Sequence, residues 1–557
     1  MKGLLGMRYL NFVGLFPARR RLSTVLRRCA AFCLALCTLA VVGAIGRAEE
    51  DWSPPRLLFN CDGGASSLSF LKPPITPDQL CRPINELEGT GVDAFLFCVT
   101  FGGDMQLYPT KVSEMYGHRE SDRNVKAQWA RNAAANLNSL LKAGHDPVRV
   151  LQRRAHELKM QFWLSMRMND VHEDHIEAYE FLISDFKNKN RHLLLGSEFP
   201  PEPDTARQKF GYSYGWNYAQ DETRRHILAV LEEMLDNYTP DGLEMDFMRH
   251  ILYFKPGEEA KGMPLMTDFV SKVRAAVDRV SQKKNRKIIL AVRVPPSFAQ
   301  CDRLGLDVRT WIQTELVDFV IPMHEGYLDM QPKLDEFLVA ARQKEVKVAG
   351  GIEQYTRKYG VGPKNRTVTI AQEYAAVSAF WQQGVQSIYL FNYDCHRRRG
   401  RVNAYHPEEI EFLTKAADPK LIVRKDKHYY VTRDMYARLQ EKGGQMQLPA
   451  KLVAGEAKDF TFVVGDDLDA AREAGLLESI RLSITFDRSG VNWNSIGLLL
   501  NSTRLNSDTR SVTDKTLTFD DPPAKLGHNT LSIKLADDSP ASNSPLRVEK
   551  IELLIDY

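Results

Sequence analysis

The run Asp241-Gly242-Leu243-Glu244-Met245-Asp246-Phe247-Met248-Arg249-His250 places two carboxylates where they could do chemistry. Asp241-Gly242 follows Pro240 and reads as a turn. Beyond it the chain alternates. Leu243, Met245 and Phe247 fall on one side of an extended strand, and Glu244 and Asp246 on the other. An acid on the inner side of a strand costs free energy unless it is paired, hydrogen-bonded or used. In a parallel barrel, chemistry gathers where the strands end, at the C-terminal rim. Asp246 sits near such an end, with Glu244 one layer deeper. The competing reading is that both acids are structural, tied to nearby Arg side chains.

Strand-like and helix-like runs alternate from Arg56 onward. The strands read as 57–60, 92–100, 161–169, 243–247, 288–294, 317–323, 346–352 and 387–393. Strand-then-helix units in that number and order predict a closed (β/α)8 TIM barrel over 56–418. A doubly wound open sheet is the alternative. It would carry a glycine-rich phosphate loop after its first strand, and Gly63-Gly64 falls short of one. Polar insertions follow the second and third strands. Past Leu421 short β-rich runs take over, at 460–464, 480–486, 496–500, 516–519, 530–535 and 548–555. They predict an all-β C-terminal sandwich over 421–557, a candidate carbohydrate-binding module. No flexible linker precedes it, so it is expected to pack against the barrel.

In a closed barrel the polar residues at the strand ends share one mouth. They are Asn60 and Asp62, Thr100, Arg167 and Asn169, Asp246 and Arg249, Arg293, His324, Glu353, and Asn392 with Asp394. Glu353 follows the small run Ala349-Gly350-Gly351, which leaves room beside it. Two carboxylates across such a mouth suit glycosidic bond cleavage: one protonates the leaving oxygen, the other attacks the sugar or activates water. Asp246 and Glu353 are the expected catalytic pair. Glu244, Arg249, Asn60, Asp62, Arg167, Asn169, Arg293, His324 and Asn392 are the expected substrate-binding groups. The arginines could hold an acid ionised or bind a uronate or sulfate. Trp216, within the aromatic run Tyr212, Tyr214, Trp216 and Tyr218, could stack on a sugar ring; packing of the insertion is the competing use. His172 and His175, beside Glu173 and Asp174, lack H-E-x-x-H spacing and read as a solvated polar loop. No metal site and no cofactor are expected.

The run Trp216-Asn217-Tyr218-Ala219, Arg224, and then Asp241 to Arg249 resembles the glycosyl-hydrolase-like barrel proteins related to glycoside hydrolase family ten, in secreted bacterial forms. The resemblance covers the barrel, with its sharp motif confined to this stretch. It implies a (β/α)8 barrel, often with a C-terminal β-sandwich, acting on glycans. Two departures stand out. Chitinase-type barrels carry D-G-x-D-x-D-x-E on the fourth strand, and here Met248 occupies the place of the acidic Glu. The large retaining barrel clan ends strand four in Asn-Glu and strand seven in Glu. Glu353 fits the seventh-strand role by position, while the Asn-Glu pair is missing. The run Gly527 to Leu535 resembles a strand motif of glycosidase sandwich domains.

The first 48 residues read as an export signal or N-terminal anchor. Arg19, Arg20, Arg21, Arg27 and Arg28 precede an apolar run from Cys29 to Ile45, and Ala48 offers a small residue at a cleavage point. That segment holds eight of the 74 basic residues and no acids, leaving 66 basic against 71 acidic, or −5. The basic balance therefore belongs to the leader, and a nucleic-acid partner has no support. Beyond the leader, Cys61, Cys81, Cys98, Cys301 and Cys395 are odd in number and scattered, so buried thiols are expected rather than a disulfide framework. The composite expectation is a secreted or periplasmic glycoside hydrolase acting on a poly- or oligosaccharide. A catalytically silent barrel that binds carbohydrate or envelope glycan is the alternative.

Overall fold

The computed structural model describes residues 54–119, 125–172, 181–196, 212–324, 326–357, 365–394, 404–433, 447–505, 510–536 and 545–557. The leader, Glu173, Asp174, His175 and Cys395 lie outside them. Pro55–Tyr557 forms one compact unit.

Eight parallel strands close into a barrel: β1 (Leu57–Cys61), β2 (Ala94–Cys98), β3 (Gln161–Arg167), β4 (Gly242–Asp246), β5 (Ile289–Val294), β6 (Phe319–Pro322), β7 (Lys347–Ile352) and β8 (Ser387–Leu390). Neighbours pair in chain order, and β8 closes on β1. Every strand sits in a doubly covered environment, so both of its faces are buried. Leu164, Met166, Leu243, Met245, Leu290 and Val292 face outward into the core shared with the helices. The helix Asp221–Tyr238 shows how that shell is built. Asp221 and Glu222 meet the positive end of its dipole. Ile227, Val230, Leu231, Met234, Leu235 and Tyr238 form its buried stripe, and Thr239 ends it in a left-handed turn at φ 48°.

The inner face is layered. Low in the barrel, Trp163 meets Phe319 edge to face at 5.6 Å. Gly242 must lack a side chain, because a Cβ there would lie 2.4 Å from the Trp163 ring. Above it, Ser165, Glu244 and Ala291 stand side by side on β3, β4 and β5. At the rim, Arg167, Asp246 and Arg293 do the same. The alternation in 241–250 therefore does place its two acids inward, on successive layers.

The C-terminal part holds two antiparallel sheets. One runs Lys427–Tyr430, Arg547–Asp556, Ser479–Phe486, Thr516–Asp520 and Arg510–Thr513, with Ala450–Lys451 also on Arg547–Asp556. The other runs Ala457–Val464, Gly527–Leu535, Ile496–Leu500 and Thr503–Arg504. The sheets brace a loop of the barrel mouth. Tyr430 Oη donates to Leu328 O at 2.7 Å, Met330 N to Thr432 Oγ1 at 2.9 Å, and Gln331 Nε2 to Tyr430 O at 2.9 Å.

A buried polar knot holds this part together. Lys427 Nζ pairs with Asp466 at 2.7 Å and donates to Ile422 O and Lys425 O. Tyr429 Oη donates to the same Asp466 at 2.6 Å and accepts from Gly465 N at 3.0 Å. Burial pushes the Lys427 pKa down and the Asp466 pKa up, against their mutual attraction. Tyr429→Phe leaves Gly465 N–H and one carboxylate oxygen short of a partner. It is expected to lower unfolding free energy by about 1–3 kcal/mol in urea melts, with the denaturant slope unchanged.

Candidate functional site

At the rim, β4 and β5 supply a fully buried ion pair. Arg293 Nε donates to Asp246 Oδ1 at 2.7 Å and Nη2 to Oδ2 at 2.9 Å, a two-pronged grip. Met248 N donates to the same Oδ1 at 2.8 Å. The guanidinium lies 3.6 Å over the Phe391 ring and touches Met323 Sδ. Burial works against the Arg293 charge, but Asp246, Tyr389 and Glu244 together outweigh it and raise the pKa.

Glu244 lies below this pair and is wholly buried. Asn60 Nδ2 donates to its Oε2 at 3.3 Å, and Asn60 Oδ1 accepts from the backbone of Asn392 at 3.3 Å. Burial, and then the Asp246 charge, push its pKa up to about 7, against the pull of Ser165, Arg293 and Tyr389. Two carboxyls on one strand thus meet opposite environments: Asp246 is gripped by a cation, while Glu244 holds its proton to near neutrality.

That proton has a measurable consequence. The folded state retains it over a range in which the unfolded chain has released it. Stability therefore falls as pH rises from about 4.5 toward 7, and levels off above that. The loss is about 3 kcal/mol. Glu244→Gln is expected to remove that slope, so urea melts of the two proteins should diverge across this window. Parallel profiles from pH 4 to 8 would exclude it.

Glu353 directly follows β7. Its Oε1 accepts from Gln354 N at 3.0 Å and its Oε2 from Gly326 N at 3.2 Å. The space left by Gly350 and Gly351 is filled: a Cβ would lie 2.4 Å from Phe380 at the first and 2.7 Å from Met323 at the second. The small run lets those side chains pack beneath Glu353 and does not widen the mouth. His324, after β6, holds Asp329 through Nε2 at 3.2 Å and stacks on Tyr327 at 4.7 Å between centroids. Its buried Nδ1 has no hydrogen-bond partner among the described residues. Asp329 belongs to the loop that the C-terminal sheets brace.

A second polar network follows β3. Arg167 is clamped between Asp62 and Asp170, the latter at 3.1 Å. Asp170 also bonds His172 Nδ1, and His172 Nε2 accepts from Arg249 Nη2 at 2.7 Å. Burial alone would raise the Asp170 pKa. His172, Arg167 and His250 outweigh it and hold that carboxyl well below the usual range. Nearby, Asp394 is pushed up to about 6, chiefly by burial.

Several expected sugar-binding groups are thus engaged with one another. Asn169 staples two loops: it accepts from Trp216 N at 2.8 Å and donates to Trp216 O and Leu252 O. The expectation for Trp216 as a stacking platform meets a different placement. Its ring is buried against Phe186 and His226, with Lys187 Nζ 5.1 Å from its centroid. Tyr218 is likewise buried, donating to Met168 O at 2.7 Å. These aromatics pack the insertion onto the barrel, as the competing use had it. His172 corrects the solvated-loop reading: it is drawn into a cluster with Asp170 and His250. The sequence offered no local sign of this, because His250 lies 78 positions further on. Cys61, Cys81, Cys98 and Cys301 are buried and free.

No protein-family model matches the chain, and no curated protein matches it. Solved structures do. A cycloisomaltooligosaccharide glucanotransferase from Paenibacillus shares 11% identity over 89% of this chain and 57% of its own, with a TM-score of 0.34. The chain thus spans a little over half of that protein. A maltogenic alpha-amylase from Thermotoga neapolitana shares 13% over 86% of this chain and 99% of its own, with a TM-score of 0.34. An alpha-L-fucosidase from Bacteroides thetaiotaomicron shares 8% over 87% and 94%, also at 0.34.

Proposed function

We propose that the chain is a glycoside hydrolase-like enzyme that cleaves a poly- or oligosaccharide at the barrel mouth, with Glu353 and Asp246 as its working carboxylates. The observation that carries this reading is Glu353. It caps the end of β7 and both its oxygens are aimed by backbone N–H groups, from Gln354 and Gly326. Amides that favour the ionised form suit a group that attacks the anomeric carbon or activates water. Asp246 stands on the same rim at the end of β4, with β5 and β6 between it and Glu353, and its two-pronged pair with Arg293 fixes it in place to accept from a sugar hydroxyl.

A second reading, a barrel that binds glycan without cleaving it, draws on the same ion pair. Arg293 already occupies both oxygens of Asp246. One assay separates the two. Wild type, Asp246→Asn and Glu353→Gln are incubated with a panel of poly- and oligosaccharides, and released reducing ends are counted. Turnover by wild type that both substitutions abolish supports the hydrolase. Turnover that survives both removes this site from the chemistry. Saturable binding without turnover on any glycan supports the second reading.

Export belongs to the same proposal and rests on the basic and apolar leader. An N-terminus beginning just after Ala48 in protein recovered outside the cytoplasm supports it. Recovery of the intact chain in the cytoplasm excludes it.

A further inference from the structure

Asp170, His172 and His250 lie just beyond the C-terminal ends of β3 and β4. One donor atom from each lies within 4.8 Å of the other two. His172 Nδ1 is bonded to Asp170 Oδ1, and His250 Nδ1 is 3.8 Å from that oxygen. The two imidazoles stand perpendicular, 5.0 Å apart. We propose that these three side chains form a binding site for a late first-row divalent cation of the zinc type.

The donor set selects the ion. Two imidazole nitrogens and one carboxylate oxygen suit zinc, cobalt or ferrous iron, whereas calcium and magnesium take mostly oxygen ligands. Three protein donors also leave at least one position for water or a sugar hydroxyl. Around a tetrahedral ion, donor atoms stand roughly 3.3 Å apart. The cluster is within small side-chain rotations of that spacing. Arg167, bonded to the second oxygen of Asp170 at 3.1 Å, fixes the carboxylate as an outer partner does.

The protons show what the ion must displace. Arg249 can only donate, so His172 Nε2 is its acceptor, and the imidazole proton sits on Nδ1, facing Asp170. A cation bound at Nδ1 moves that proton to Nε2, which then cannot accept from Arg249. The Arg249 head group must swing away; the side chain is half-buried and has solvent to enter. The Val171 N–H also loses His250 Nδ1 as its acceptor, now at 3.2 Å. Arg249 therefore competes with the ion, both through this bond and through its charge.

The test uses the purified full-length chain, stripped with a chelator and then titrated with zinc by calorimetry and with cobalt by visible absorption. One ion per chain is expected, with the absorption of low-coordinate cobalt. His172→Ala, at a half-exposed side chain, and His250→Asn, which suits the left-handed backbone at φ 54°, should each weaken binding at least about tenfold. Arg249→Gln should tighten it. His428→Asn, whose imidazole pairs with Glu552 in the C-terminal sheets, should leave it unchanged. Absence of stoichiometric binding overturns the site. So does binding indifferent to both His172→Ala and His250→Asn, or no tighter in Arg249→Gln. The readout is ion occupancy, so it stands or falls apart from the hydrolase reading.

Discussion

Glu353→Gln is expected to lower kcat on a cleaved glycan by about a thousandfold, with KM changed little. The carboxamide keeps the size and position of the acid. It also keeps one oxygen for Gly326 N or Gln354 N, so the binding contour of the mouth survives. What it loses is the charge. Its NH2 group cannot attack a sugar carbon or take a proton from water, and it turns a donor toward one of the two backbone N–H groups. That mismatch costs about 1–3 kcal/mol of stability, which a melt performed alongside separates from the catalytic loss. The anomer first released by wild type distinguishes the two parts the residue could play: retention if Glu353 is the nucleophile, inversion if it activates water. A variant that turns over at the wild-type rate would remove Glu353 from the reaction altogether.

The barrel was legible because its strands are short, apolar and evenly interleaved with helices. Val320, Val348 and Ile388 belong to runs buried on both faces, and such runs announce a parallel sheet. Periodicity also gave the direction of Glu244 and Asp246. It could not give their partners. Arg293 is a lateral neighbour of Asp246 only because β5 pairs with β4 in one register, and that register is set by the whole ring. The strands Lys427–Tyr430 and Arg510–Thr513 went unread for a related reason. The first opens on a charged residue whose burial depends on Asp466, and the second is a polar edge. Trp216 shows the limit of residue type as a guide. An aromatic in a mouth-side insertion serves a ligand or the insertion itself, and here Phe186 and His226 had already claimed the ring. The cluster of Asp170, His172 and His250 depends on two loops meeting above adjacent strands, which no spacing rule for a single helix contains.

Arg293→Met is expected to cost about 3–5 kcal/mol of stability, the penalty of leaving one half of a buried ion pair behind. Methionine fills much of the volume and suits the neighbouring Phe391 and Met323, so the loss reports charge more than packing. Asp246 is then a buried carboxyl directly above Glu244 without its guanidinium, with Met248 N still donating to it. Asp246→Asn should be milder. Its removal takes away the charge that helps to raise the Glu244 pKa, and Arg293 then draws the Glu244 proton off. One carboxylate replaces another beneath the same guanidinium. The pair Asp246→Asn/Arg293→Met removes both charges together, and its cost should fall short of the two single costs combined by at least about 1 kcal/mol. Chemical denaturation of the four proteins at pH 8, where Glu244 is mostly ionised in wild type, gives the coupling directly. At pH 5, where Glu244 keeps its proton in the wild-type fold, the relief available to Asp246→Asn shrinks and its cost should rise toward that of Arg293→Met. Strict additivity at both pH values would mean that Arg293 does not serve Asp246 and Glu244 in common, and the account of one guanidinium shared by two stacked carboxyls would fail.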